Sequence, residues 1–116
     1  MDKRDWQRLI LIRTHCEDIL SFVERFGRDF QSFISDRAYF NAVAMGIMQI
    51  GELANGLSDS FCDQTIQQIP WKSIRGMRNW IAHAYGELDE AALWETVLND
   101  IPVLLQFCLC YTNTNQ

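Results

Sequence analysis

The stretch RNWIAHAY sets Arg78, Asn79, His83 and Tyr85 within two helical turns of an otherwise apolar segment. These residue types handle protons and phosphate. An imidazole, the side chain His83 carries, can serve as general base or general acid. Arg78 carries a planar fork of donors that matches the non-bridging oxygens of a phosphate. Asn79 orients an imidazole or a phosphate without adding charge, and Tyr85 offers a phenol near a helix end.

Spacing decides whether these groups share a surface. At 100° per residue, with Arg78 as zero, Ile74, Met77, Trp80, Ile81 and Ala84 gather in an arc from about 200° to about 320°, which must face the core. Lys72, Arg75, Arg78, Asn79 and His83 gather opposite, from about 0° to about 140°. Gly76, Ala82 and Gly86 fall in or beside that polar arc, so it has room for an approaching molecule. Tyr85 returns to within about 20° of Arg78 on a regular helix. The polar face is either a phosphate-handling site or a solvated helix surface.

The elements that carry this face follow from periodicity. Leu9, Ile12, Cys16, Ile19, Val23 and Phe26 step by three and four, predicting a helix from Asp5 to Phe26 ended by Gly27. A short helical turn fits between Asp29 and Ser35. Phe40, Val43, Ile47, Ile50, Ala54 and Leu57 repeat the rhythm in a second helix, where Gly46, Gly51 and Ala54 would let another backbone come close. Ser58 to Ile69 has room for a short helix. Pro70 opens the helix that carries the motif, and a last one starts after Asp89 with Leu93, Val97, Ile101, Leu104 and Cys108 as its stripe. Pro102 should kink it. Met45 and Met48 are assigned to core filling. The expectation is an all-α bundle of four main helices plus short extra ones, a single domain over residues 1–116 with a frayed tail over 111–116.

Composition narrows the function classes. The 116 residues suffice for one core. No unbroken apolar run approaches the roughly 18 residues of a spanning helix, and the N-terminus is charged, so a soluble, cytoplasmic protein without membrane contact is expected. The cysteines at 16, 62, 108 and 110 form no C-x-x-C pair and have no nearby histidine, so reduced thiols and no metal site are expected. Net charge is −5, yet every Lys and Arg lies at or before Arg78, which leaves room for a local basic surface.

RNWIAHAY resembles the R-x4-H-x-Y motif of the HEPN superfamily, and specifically the HepT-like toxins paired with MntA-like nucleotidyltransferase antitoxins. Ile69 to Asn79, IPWKSIRGMRN, is similar to the approach to that motif, and Ile50 to Ala54, IGELA, to another segment of the family. The likeness covers most of the chain and departs at Gly86, where an aromatic often follows the tyrosine. It implies a HEPN-like helical homodimer with an RNA-cleaving cleft between subunits and no cofactor. Arg78 and His83 would be catalytic, Asn79, Arg75 and Lys72 supporting phosphate binders, and Tyr85 the residue to which the antitoxin adds AMP. That AMP is expected beside Arg78 and Arg75. RNA, not DNA, would be the substrate.

RNA carries its own nucleophile, the 2′-hydroxyl, so cleavage needs a base, an acid and charge stabilisation but no metal. One subunit supplies a single motif histidine, and a two-fold dimer supplies two. His15 shares a line with Arg4 and Arg8 and is either part of an RNA-contacting rim or an ordinary boundary residue. Glu52 is either a buried partner for Arg75 or Arg78 or a solvated side chain. Two other readings of the chain compete: a non-catalytic helical subunit presenting nucleotide or substrate to a nucleotidyltransferase, and a dimerising bundle whose polar face is structural.

Overall fold

The computed structural model describes residues 1–114; Asn115 and Gln116 of the expected frayed tail lie outside the described residues. The chain forms α1 (Lys3–Phe26), α2 (Phe30–Ser35), α3 (Arg37–Asn55), α4 (Asp59–Thr65), α5 (Trp71–Ala84), α6 (Glu90–Glu95) and α7 (Ile101–Thr114), with no strand among the described residues. The all-α bundle and its short extra helices are as the periodicity predicts.

Side-chain caps start these helices. Asp2, Asp29, Asp36, Ser58 and Asp89 each accept a backbone N–H in the first turn that follows. The motif helix differs: Pro70 is its N-cap, without a side-chain bond, and Trp71 is its first helical residue. Gly27 stops α1 at a φ of 125°, a backbone state that disfavours any side chain, and Tyr39 Oη donates to its carbonyl at 2.9 Å.

α3 is the central element, packed on α1 along one side and on α5 along the other. Its glycines serve the two sides separately. A Cβ on Gly46 would stand 3.0 Å from Ile19 on α1, and one on Gly51 would stand 2.5 Å from the backbone nitrogen of Arg78 on α5. Only glycine lets α5 come this close, so Gly51 sets where the motif sits against α3.

The last helix is continuous but not regular. Between α6 and α7 runs a π-turn, Thr96–Asp100, in which Ile101 N–H reaches back to the Thr96 carbonyl. The wider turn accommodates the ring of Pro102 where a regular helix would clash. Contrary to the expectation from the apolar runs, the span Glu90–Asn113 is long and apolar enough to cross a membrane by length and composition. Leu93, Val97, Ile101, Leu104 and Cys108 are nonetheless buried in the domain, as on a core helix. α7 runs to Thr114, with Thr112 fully buried and its hydroxyl accepting from Arg13 at 3.2 Å. Met45 departs from its core assignment, being 53% exposed; Met48 is half-buried.

Candidate functional site

The polar arc of α5 divides into two edges. Lys72, Asn79 and His83 lie on the outer edge and are exposed; Arg75 and Arg78 lie on the edge toward α3 and are half-buried. Helical geometry explains this, because Arg75 and Arg78 fall within about 60° of the α3 contact and the other three about 100° to 140° away.

On the inner edge, Arg78 is held from two directions. Its Nε lies 3.1 Å from Glu52 Oε2 on α3, and its Nη1 donates to Asn79 Oδ1 at 3.1 Å. Glu52 is therefore a partner of Arg78, as one reading of the sequence had it, but an exposed one. One turn further along α3 the Arg8 guanidinium lies over Gly56, where a Cβ would stand 2.1 Å from its Cζ. Two guanidinium groups thus flank the outward side of the α3 C-terminal turns, one from α1 and one from α5. His15 is half-buried on α1, and no hydrogen bond or ion pair joins it to the motif among the described residues.

Arg75 does something else. Its Nε donates to the Ala54 carbonyl at 3.0 Å, and its Nη2 donates to the Leu57 carbonyl at 2.9 Å and to Cys62 Sγ at 3.3 Å. Asp59 stands 3.9 Å from its Nη1. These carbonyls belong to the end of α3, where helical partners run out, and a cation there also meets the negative end of the helix dipole. Asn55 returns the contact by donating to the Arg75 carbonyl at 3.4 Å. Arg75, expected as a supporting phosphate binder, directs these donors to a helix end. Nothing in a helical wheel shows that a long side chain will bend back to a neighbour's carbonyls.

His83 makes no hydrogen bond or ion pair among the described residues, and points from the face opposite the core. Within one subunit it is about 140° around the helix from Arg78. Tyr85 follows on a short 3-10 turn, 42% exposed, with its hydroxyl donating to Asn41 Oδ1 and its ring edge-on to Phe40. Asn41 precedes Glu52 by 11 positions on α3, a rise of about 16 Å. The shared line of Arg78 and Tyr85 on α5 therefore leads their side chains to different ends of α3. Beside Tyr85, an apolar hollow of about 310 Å³ is lined by Met45, Met48, Ile81 and Ala82.

Cys16 and Cys108 take no part in this face, and Cys62 meets it only as an acceptor for Arg75. Burial pushes Cys108 up to about 12 and Cys16 still higher, with each held among core side chains; desolvation raises Cys62 as well, against the lowering effect of Arg75.

The family model described as Ribonuclease HepT-like matches residues 12–110, from within α1 to within α7. The chain belongs to this family. Membership supports ribonuclease activity with RNA as the substrate. Among similar proteins, "Probable ribonuclease HepT" of Thermococcus cleftensis is 33% identical over 97 residues, covering 79% of this chain and 87% of that one. "Putative RNase TTE0752" of Caldanaerobacter subterraneus subsp. tengcongensis is 32% identical over 93 residues, 80% of each chain. "Putative RNase MJ1380" of Methanocaldococcus jannaschii is 29% identical over 103 residues, 88% of this chain and 92% of that one. No solved structure matches.

Proposed function

We propose that this HepT-like chain is a metal-independent endoribonuclease toxin, active as a homodimer and silenced by a nucleotidyltransferase antitoxin. The observation that carries the catalytic reading is His83: an exposed imidazole with no internal partner, on a helix whose neighbouring arginine is fixed by Glu52 and Asn79. A histidine serving only the fold would be expected to have a partner within it.

One imidazole takes the proton of the 2′-hydroxyl as that oxygen attacks phosphorus. The new 2′-O–P bond forms as the bond to the 5′-oxygen breaks, and a second imidazole protonates the departing oxygen. Arg78 bears the charge that gathers on the non-bridging oxygens, with Lys72 and Asn79 along the same strand path. The products are a 2′,3′-cyclic phosphate and a 5′-hydroxyl, and no water is consumed. Because His83 and Arg78 diverge on one helix, a two-fold dimer supplies the second imidazole and joins the two edges into one cleft. The exposed Met45 and the apolar hollow between α3 and α5 are suited to burial in such an interface.

Incubation with total RNA in EDTA tests the mechanism. Wild type should cut and leave cyclic or 3′-phosphate ends, and His83→Ala should fold normally yet lose about 10² to 10⁴ of the rate. Undiminished cleavage by His83→Ala, or a strict need for Mg²⁺, would refute it.

Tyr85 is the control point in this reading. Its phenol is accessible, and Asn41 holds the hydroxyl in one orientation. The phenolic oxygen attacks the α-phosphorus of ATP, a base of the antitoxin takes the proton, and pyrophosphate leaves. Co-expression with the nucleotidyltransferase should add AMP-sized increments to the intact mass of wild type and none to Tyr85→Phe.

A further inference from the structure

Tyr85 and Asn41 form a wall between two hollows. On one side lies the apolar space at Met45 and Ile81. On the other is a second hollow of about 280 Å³, polar in its lining, bounded by α2, the start of α3, the turn after α5 and the start of α6. Arg37, Phe40, Asn41, Tyr85, Leu88 and Glu90 give it its chemistry.

Arg37 is exposed and makes no ion pair among the described residues, although acidic side chains are more numerous than basic ones in this chain. Asp36, its neighbour in sequence, spends a carboxylate oxygen on the N–H groups of Ala38 and Tyr39. Phe40, half-buried, gives the wall an aromatic ring, and Leu88 adds apolar surface. Glu90 contributes a hydrogen-bond acceptor, and Asn41 both an acceptor and donors. Gly86 adds no side chain, and a Cβ there would meet nothing within 4 Å.

A fitting ligand has one compact anionic group for Arg37, a flat apolar body for Phe40 and Leu88, and donors for Glu90. A nucleoside monophosphate has these three parts. Aromatic rings and an arginine recognise single nucleotides by stacking and by phosphate contact, with side-chain amides and carboxylates reading base edges and ribose hydroxyls. The Glu90 carboxylate disfavours further phosphates at its end.

We propose that this hollow is a mononucleotide site, and that it seats the AMP attached to Tyr85, with the phosphate on Arg37 and the base against Phe40. The second half rests on the reading of Tyr85 given above; the site itself does not. The placement differs from the one expected from helix geometry. Arg75 is occupied at the end of α3, and the Arg78 partner Glu52 lies about 16 Å along α3 from Asn41, whereas the Tyr85 hydroxyl is bonded to Asn41 at the edge of the hollow that Arg37 lines.

Two measurements on the full chain separate the claims. Free AMP titrated into unmodified protein and followed by amide NMR should shift Arg37, Asn41, Tyr85, Gly86 and Glu90 saturably. Arg37→Ala should weaken AMP about tenfold or more and leave adenosine unaffected. In protein modified on Tyr85, a phosphodiesterase should release AMP several-fold faster from Arg37→Ala than from wild type. Absence of AMP binding at millimolar concentration, shifts centred on Arg78 and Lys72, or a Kd indifferent to Arg37→Ala would each overturn the site. If Tyr85 gains no AMP in co-expression, the regulatory reading fails by mass, and the free-AMP titration still decides the hollow.

Discussion

Glu52 and Arg78 meet across α3 and α5 at 3.1 Å, on the surface and not in the core, with the Glu52 side chain 60% exposed. An exposed pair of this kind adds at most about 1 kcal/mol to stability. Its consequence is positional. Gly51, one residue before Glu52, brings the Arg78 backbone against α3, and Glu52 then fixes the direction of the guanidinium.

Glu52→Ala should therefore lower kcat for RNA cleavage about ten- to a hundredfold, the scale of a misplaced contact. Stability in urea should fall by less than about 1 kcal/mol. Glu52→Gln keeps an acceptor oxygen and should recover much of the rate. A change confined to KM, or a large loss of stability, would contradict this positioning role.

Arg75 should behave in the opposite way. Arg75→Ala removes the side-chain donor of the Leu57 carbonyl at a partly buried helix end, while Ala54 keeps the Leu57 N–H at 3.2 Å, a cost of about 1 to 3 kcal/mol. Arg75→Lys cannot reach both carbonyls with one ammonium and should rescue little. Denaturant unfolding beside activity per folded molecule checks both. A variant that folds like wild type but has lost RNA binding would show Arg75 acting on phosphate and not on the fold.

These two arginines mark what sequence reading can reach. Three-four stripes such as Leu9 to Phe26 expose their period directly, so α1, α3, α5 and the last helix are legible, and Gly51 announces a close approach. The polar arc of α5 is legible for the same reason. Its division is not, because Cα–Cβ direction says nothing of where a long guanidinium ends: Arg75 turns to α3 carbonyls and Arg78 to Glu52. The π-turn before Pro102 depends on how the chain relieves a local clash. Arg37 carries no local signal at all, since it comes to line one hollow with Tyr85 only through the packing of α2, α3 and α6.

Core thiols make alkaline pH a probe of the fold. Desolvation raises Cys108 from 9.0 to about 12, and Cys16 rises further. Above pH 9 the unfolded chain releases these protons while the folded one keeps them, so unfolding is favoured as pH rises. The contribution is whole below about pH 9 and is lost progressively toward pH 12. Urea midpoints from pH 8 to 10.5 should fall less steeply for Cys16→Ala/Cys108→Ala than for wild type. Equal slopes would place the alkaline loss in other groups.

The composite cleft has the most direct test. His83 and Arg78 lie on different edges of α5, so a dimer whose cleft takes one edge from each subunit has two half-sites related by symmetry. Arg78→Ala and His83→Ala homodimers should each be nearly inactive. Mixing the two under conditions of subunit exchange should restore activity, because a heterodimer places the intact Arg78 of one chain and the intact His83 of the other in one cleft. The extent depends on the histidine requirement. If general acid and base come from separate subunits, the heterodimer retains only one imidazole, and the recovered rate should stay well below that of a wild-type site. Full recovery would instead mean that one imidazole serves both proton transfers. A protein that sediments as a monomer at its working concentration would rule out the shared cleft.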